Sequence, residues 1–316
     1  MGKTLGYVLA ATTGIIWGGQ WVVGKSALGH VDAFNLTALR YAAAALLLLV
    51  VLAAVEGRRA LRLDGRGVRL FLLGTLGFAG FNLLAYAGLN HASPESASLI
   101  TALSPLLMAL VLWARGDGRP ARSTLVALAV AIFGVLLVIG HGDPISVFRG
   151  ALGWGDLLIV GGVASFILYT VGARDVPGFS PLRYTALTAS LGWLSIAFAA
   201  AIADATGAAH VPSAGDVRGA LPQLAYITIL GAVVAVTTWN TAASRIGPQN
   251  AALFLNLMPV TTFAIEIARG YRAGAAELSG AALTVLALVG GNLASRGIRY
   301  RRVARGKASQ PGYAAR

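Results

Sequence analysis

The sequence has no cysteine, four histidines, three methionines and only 12 acidic residues among 316. Without cysteine there is neither a disulfide framework nor a thiolate metal site. His30, His91, His141 and His210 are too scattered to suggest a ligand set, so no metal and no cofactor is expected. Charged residues make up 12% of the chain, about half the share a soluble domain carries. Buried proton-exchanging groups are scarce for the same reason, which argues against an enzyme.

Apolar residues fill the chain instead, at 57%, with a mean hydropathy of +0.73. They fall in long uninterrupted runs, each approaching the ~20 residues that cross a bilayer. The runs predict an all-α integral membrane protein with ten transmembrane helices, at 4–23, 33–55, 69–89, 95–114, 123–140, 152–172, 182–203, 220–242, 249–268 and 277–295. The first run is long, lacks an A-x-A site after it and is followed by further spans, so it is read as a span and not a cleaved signal. A multi-pass protein of the cell inner (plasma) membrane is expected.

The net charge of +13 is unevenly spread. With the N-terminus inside, nineteen of the 25 Lys and Arg residues fall on inside segments and five outside, with Arg40 inside span two. Cytoplasmic loops collect basic residues, so both termini are expected in the cytoplasm and the span count is even. The positive charge is then a topology signal and a contact for anionic membrane lipid. No nucleic-acid partner is expected.

Pro94 to Pro105, PESASLITALSP, recurs 154 residues later as PQNAALFLNLMP, Pro248 to Pro259. Pro94 and Pro248 suit the first position of a helix. Pro105 and Pro259 lie inside apolar helices, where each removes a hydrogen bond to the carbonyl four residues earlier, that of Thr101 or Leu255. Such broken helices are tolerated where they pack on protein or line a wet cavity. The register extends to Leu76-Gly77 and Leu230-Gly231, to Trp17 and Phe166, to Gln20 and Tyr169, and to Gly134 and Gly290. Ten spans divide into two halves of five, and five being odd, the second half is inverted. The expected organisation is a first repeat over 1–145, a second, inverted-topology repeat over 146–297, and a basic cytoplasmic tail over 298–316. A central cavity would lie between the repeats, with Pro105 and Pro259 as hinges.

These features resemble the drug/metabolite transporter superfamily in its ten-helix EamA-type branch. The proline segments and the small-residue-rich spans five and ten, with Gly134, Gly290 and Gly291, carry the resemblance over about residues 5–297. Trp17 and the run GARDVPGFSPLRY after span six look most like the YddG-type exporters of aromatic amino acids. The resemblance implies a central cavity lined by spans 1, 3, 4, 6, 8 and 9, scaffold spans 5 and 10, and export of small metabolites. A Gly-Glu pair that many relatives carry at the ends of spans four and nine is missing here, where span four ends WARGDG.

Candidate substrate-binding residues follow from helical faces. Phe78, Asn82 and Tyr86 recur at steps of four on span three, and Trp17 and Gln20 share a face of span one with Trp21. Phe166 and Tyr169 occupy the mirrored positions on span six. Asn240 mirrors Tyr86 beside Trp239, Thr101 precedes one hinge, and Asn256 precedes the other. Rings with sparse amides suit a bulky, partly apolar ligand, although mid-span amides also hydrogen-bond between helices. Arg40, the one basic residue well inside a span, reads either as an attractor for a carboxylate or as a snorkelling or helix-locking arginine. Glu266 reads either as a proton-coupling carboxylate or as the partner of Arg269.

The expected partner is a small-molecule substrate, exported by alternating access. An amino acid, aromatic or bulky and apolar, is the first expectation. A proton-coupled multidrug or cationic-compound exporter is the rival, and a deep unpaired acid would favour it. A non-transporting membrane subunit and an intramembrane enzyme are the remaining classes. The sequence leaves the oligomeric state open, a monomer included.

Overall fold

A computed structural model of the chain describes residues 2–117, 119–120, 122–146, 153–287 and 289–290. Among them there is no strand. The longer helices are α1 (Gly2–Ala27), α2 (Ala33–Glu56), α3 (Gly67–Leu89), α4 (Pro94–Ala114), α5 (Arg122–Ile139), α6 (Trp154–Asp175), α7 (Pro181–Ala205), α8 (Leu221–Ile246), α9 (Pro248–Ala268) and α10 (Ala275–Ala287), with short helices at Arg58–Leu61 and Ala214–Gly219 in the connections. Seven of these, α2 to α4 and α6 to α9, are long and apolar enough to cross a bilayer. Glycines, threonines, Gln20 and two tryptophans dilute α1, and the apolar stretches of α5 and α10 are shorter. Gly291, Arg149 and the tail over 298–316 lie outside the described residues.

Local chemistry sets where helices start. Asp32 caps α2 by accepting from the backbone N–H groups of Phe34 and Asn35, at 2.9 and 3.0 Å. Ser93 and Ser180 cap α4 and α7 in the same way, each followed by a proline at the first helical position. Gly247, at φ +83, turns the chain into Pro248 of α9. The outward faces of these helices are apolar: Val50 and Val55 of α2, Val126 of α5 and Phe198 of α7 are exposed. A surface of that kind belongs in hydrocarbon, where the helical backbone satisfies its own polar groups.

Four helices are interrupted. Wide π turns run over Thr75–Gly80 in α3 and Tyr226–Val234 in α8, around the two Leu-Gly pairs. α4 breaks at Leu103, between Ala102 and Ser104, and α9 tightens to a 3₁₀ turn over Leu253–Asn256. Both lie just ahead of Pro105 and Pro259, whose missing N–H groups end the regular ladder. One carbonyl expected to be left free is in use, however. That of Thr101 accepts from the Ser104 hydroxyl, which re-pairs it locally, so it is not spare for a ligand.

α1 packs on α8 and α9, and α6 packs on α3 and α4. α2 packs along α7. Glycines allow the closest crossings. A Cβ on Gly77 would overlap the Tyr169 ring, and one on Gly231 would overlap the Gln20 amide oxygen. Gly134 of α5 lies against Gly280 and Thr284 of α10, whereas among the described residues nothing lies within 4 Å of a Cβ built on Gly290. At one end of the molecule the arginine-rich loops gather. Arg115 pairs with Asp175 at 2.8 Å, Arg174 with Asp117 at 2.6 Å, and Arg183 with Asp64 at 2.7 Å.

Candidate functional site

Where α1, α3, α6 and α8 meet, their aromatic side chains converge. Trp17 stands edge-on to Phe166 at 5.4 Å between ring centres and 5.7 Å from Trp239. Phe166 also meets Phe81 at 5.3 Å and Tyr169 at 5.7 Å, and Phe78 bridges Tyr169 and Tyr41, each at 5.3 Å. The rings are positioned by their polar handles. The Trp17 indole donates to the Gly231 carbonyl at 3.0 Å, inside the π turn of α8, and Trp239 donates to Thr170 Oγ1 at 3.2 Å.

The aromatic box borders a small central cavity. Trp17, Gln20, Trp21, Phe81, Thr101, Ser104, Phe166, Leu255 and Met258 line it. Its free volume is about 10 Å³, room for a single water. The expected solvated hollow is therefore closed in this conformation, because the rings fill it. Both broken helices nevertheless turn their interruptions inward: Thr101 and Ser104 come from one, Leu255 and Met258 from the other. Pro105 and Pro259 are buried, not lipid-facing.

A polar cluster stands on either side of the box. In the first, Arg40 is 1% exposed. Its Nη1 donates to Asn82 Oδ1 at 2.9 Å and Tyr86 Oη at 3.0 Å, and its Nη2 donates to Gln20 Oε1 at 2.9 Å. Asn82 in turn donates to Tyr41 Oη and to the Phe78 carbonyl. Arg40 does not snorkel; it locks α1, α2 and α3 together. In the second cluster, Asn240 donates to Tyr169 Oη at 2.8 Å and Thr185 Oγ1 at 2.7 Å, and Tyr184 Oη donates to the Tyr169 carbonyl.

Beyond the second cluster a cleft of about 220 Å³ opens at the arginine-rich end, lined by Arg174, Phe179, Tyr184, Asn240, Ser244 and Pro248 among others. The residues read from the sequence thus divide. Trp17, Gln20, Thr101 and Phe166 line the central cavity, and Asn240 lines the cleft. Phe78, Asn82, Tyr86, Tyr169 and Trp239 stand behind these as the packed and hydrogen-bonded wall. Asn256 is 4% exposed, and neither its Nδ2 nor its Oδ1 has a partner. Glu266 lies away from the box, paired with Arg269 at 3.2 Å.

Sequence reasoning missed Phe81, Ser104 and Met258 of the cavity lining, and three residues around it. Tyr41 lies beneath the Arg40 guanidinium at 5.0 Å, and its position directly after Arg40 gave no helical-face signal. Thr185 becomes polar wall only because α7 packs beside α8. Glu95, in the first turn of α4, is 4% exposed and makes no side-chain hydrogen bond or ion pair among the described residues. The helix N-terminus favours its carboxylate, and the Ser93-Pro94 start was the available signal.

The model of the EamA-like transporter family matches residues 4–140 and again 153–292. An uncharacterised transporter of Bacillus subtilis (strain 168), YrdR, is 28% identical over 305 residues, covering 95% of this chain and 94% of its own. A second from the same organism, YyaM, is 29% identical over 285 residues, 90% and 92% of the two chains. An uncharacterised transporter of Archaeoglobus fulgidus is 27% identical over 261 residues, 81% and 86%. One solved crystal structure shares the fold at a TM-score of 0.65 and 21% identity, over 92% of this chain and 96% of that one.

Proposed function

The chain belongs to the EamA-like transporter family, a multi-pass membrane protein, and on that premise we propose that it exports amino acids, aromatic or bulky and apolar, by alternating access. One observation carries this reading: a closed aromatic box between two polar clusters, walled by both broken helices. Rings bind an apolar side chain, and flanking amides and hydroxyls orient a polar head. In this reading residues 1–145 and 146–297 are inverted five-helix repeats. The clusters support that alignment, because Gln20, Arg40 and Tyr86 fall opposite Tyr169, Thr188 and Asn240. Exchange of the two halves' conformations would open the box to one face and then the other.

The arginine-rich end faces the cytoplasm of a cell whose inner membrane holds the protein, as the basic-loop bias requires. The 220 Å³ cleft is then the cytoplasmic approach to the box. The buried charge beside the box is a cation, and no acid lines the cavity, which weighs against the cationic-drug alternative. Glu266 is tied to Arg269, which favours a facilitator, whereas Glu95, buried and without a side-chain partner among the described residues, is the feature that favours a proton-coupled antiporter.

Counterflow in proteoliposomes tests the reading, with labelled phenylalanine, threonine and a quaternary dye compared. Phenylalanine should exchange, and Trp17→Ala should slow it about tenfold by removing one wall of the box. Uptake of the dye alone would reject an amino-acid exporter. An absolute need for a pH gradient would reject a facilitator.

A further inference from the structure

Arg40 poses a problem that the protein alone does not solve. A guanidinium stays charged at every accessible pH, and in a membrane interior such a charge must pair, face water or be held by polar groups, a counter-charge being the strongest of these partners. Arg40 is 1% exposed, yet among the described residues no carboxylate lies within ion-pair distance of it. All its hydrogen-bond acceptors are neutral: Asn82, Tyr86 and Gln20.

The arrangement around the guanidinium is uneven. Nη1 is saturated by two acceptors. The opposite edge, formed by Nη2 and Nε, is the fork that receives both oxygens of a carboxylate. Here Nη2 has one neutral acceptor, Gln20 Oε1, and Nε has none. Gln20 lines the central cavity, and so does Trp21, whose buried indole N–H also lacks an acceptor. The wall on this side therefore carries a net positive charge and unpaired donors, screened from the cavity by one amide.

We propose that the transported solute carries a carboxylate that displaces Gln20 from Arg40 and is received by the Nη2–Nε fork. Asn82, Tyr86 and Tyr41 hold the guanidinium in place while this happens. The exchange is one of hydrogen bonds only, and it supplies the missing counter-charge at the moment of binding. The mirrored position in the second half is Thr188, which is neutral and buried, so the carboxylate end has one preferred side of the box. This proposal rests on the amino-acid transporter reading of the box and adds which side chain receives the carboxylate and which one gives way to it.

The test is calorimetric titration of the purified full-length protein with three probes of one shape: 3-phenylpropionate, 3-phenylpropionamide and 3-phenylpropylamine. The carboxylate should bind about tenfold more tightly than the amide, and the amine should not compete. In Arg40→Gln that preference should vanish, the acid losing about tenfold more affinity than the amide, and a cooperative thermal transition shows that the variant is folded. Arg40→Lys should keep part of the preference, since it retains the charge and loses the fork. Equal binding of acid and amide by the wild type, or a preference that survives Arg40→Gln, overturns the proposal and leaves the box standing. Loss of acid and amide alike in Arg40→Gln makes Arg40 structural only and overturns it too. Competition by chloride or phosphate as strong as that by the carboxylate means a resident inorganic ion, and it likewise overturns the proposal. If none of the three probes binds the wild type, the box itself is not the site, and both readings fall.

Discussion

At the scale of single residues, the informative side chains are those whose polar atoms have nothing to bond. Asn256 is buried with its whole amide unpaired. An unpaired buried amide costs about 1–3 kcal/mol, which selection does not retain for packing alone. Asn256→Leu, nearly isosteric, should hold or raise the thermal midpoint in detergent while lowering counterflow. A fall in both would mean the amide is structural, bonded to ordered water. Glu266 differs in kind, because Arg269 answers its charge at 3.2 Å. The sequence left Arg40 and Glu266 open in the same way. Their neighbours separate them: Arg269 is local and visible three residues away, whereas Gln20, Asn82 and Tyr86 come from helices that only the fold brings together.

At the scale of elements, function is built into irregular helix turns and glycine crossings. The π turns of α3 and α8 bring Gly77 under Tyr169 and Gly231 under Gln20. A carbon added at either position has no room in a packed interior. Gly74 of α3 meets backbone, not a movable side chain: a Cβ there would overlap the Thr188 carbonyl and lie 2.9 Å from the Gly192 nitrogen. Gly74→Ala should therefore cost about 1–3 kcal/mol of stability by prising α3 from α7. Gly161→Ala is the control: its Cβ would lie 3.5 Å from Leu84, in ordinary contact. It should be neutral or stabilising by up to about 1 kcal/mol through helix propensity. Thermal midpoints of the two variants side by side check this. The prolines were legible as breaks, but the re-pairing of the Thr101 carbonyl was not. That depended on the Ser104 hydroxyl.

At the scale of the whole molecule, the two ends differ in charge and in closure. The arginine-rich end has a 220 Å³ cleft and is strapped by ion pairs, exposed or partly so, that join the α2–α3 and α4–α5 connections to the end of α6 and the start of α7. Exposed pairs of this sort contribute little each and are screened by salt, so they can part and re-form as the cleft opens. The lack of cysteine makes the orientation directly measurable, because single thiols need no background removed. Ser244→Cys, at the arginine-rich end, should react with a membrane-impermeant maleimide only after permeabilisation. His210→Cys, at the other end, should react in intact cells. The reverse pattern would invert the proposed topology and the direction of export with it.

The sequence by itself determined that the chain is helical and membrane-embedded, where many helices begin and break, and which residue types recur at matched positions. Those properties follow from composition, local caps and the covalent chemistry of proline, all written in consecutive residues. The tertiary structure alone decided which of the polar candidates face the cavity, which serve as wall, and which have no partner. A side chain's surroundings in the membrane come from other helices tens or hundreds of residues away, and the packing of α1 and α6 against the opposite half sets them. That is why Arg40 could be found in the sequence, while its missing counter-charge could be found only in the fold.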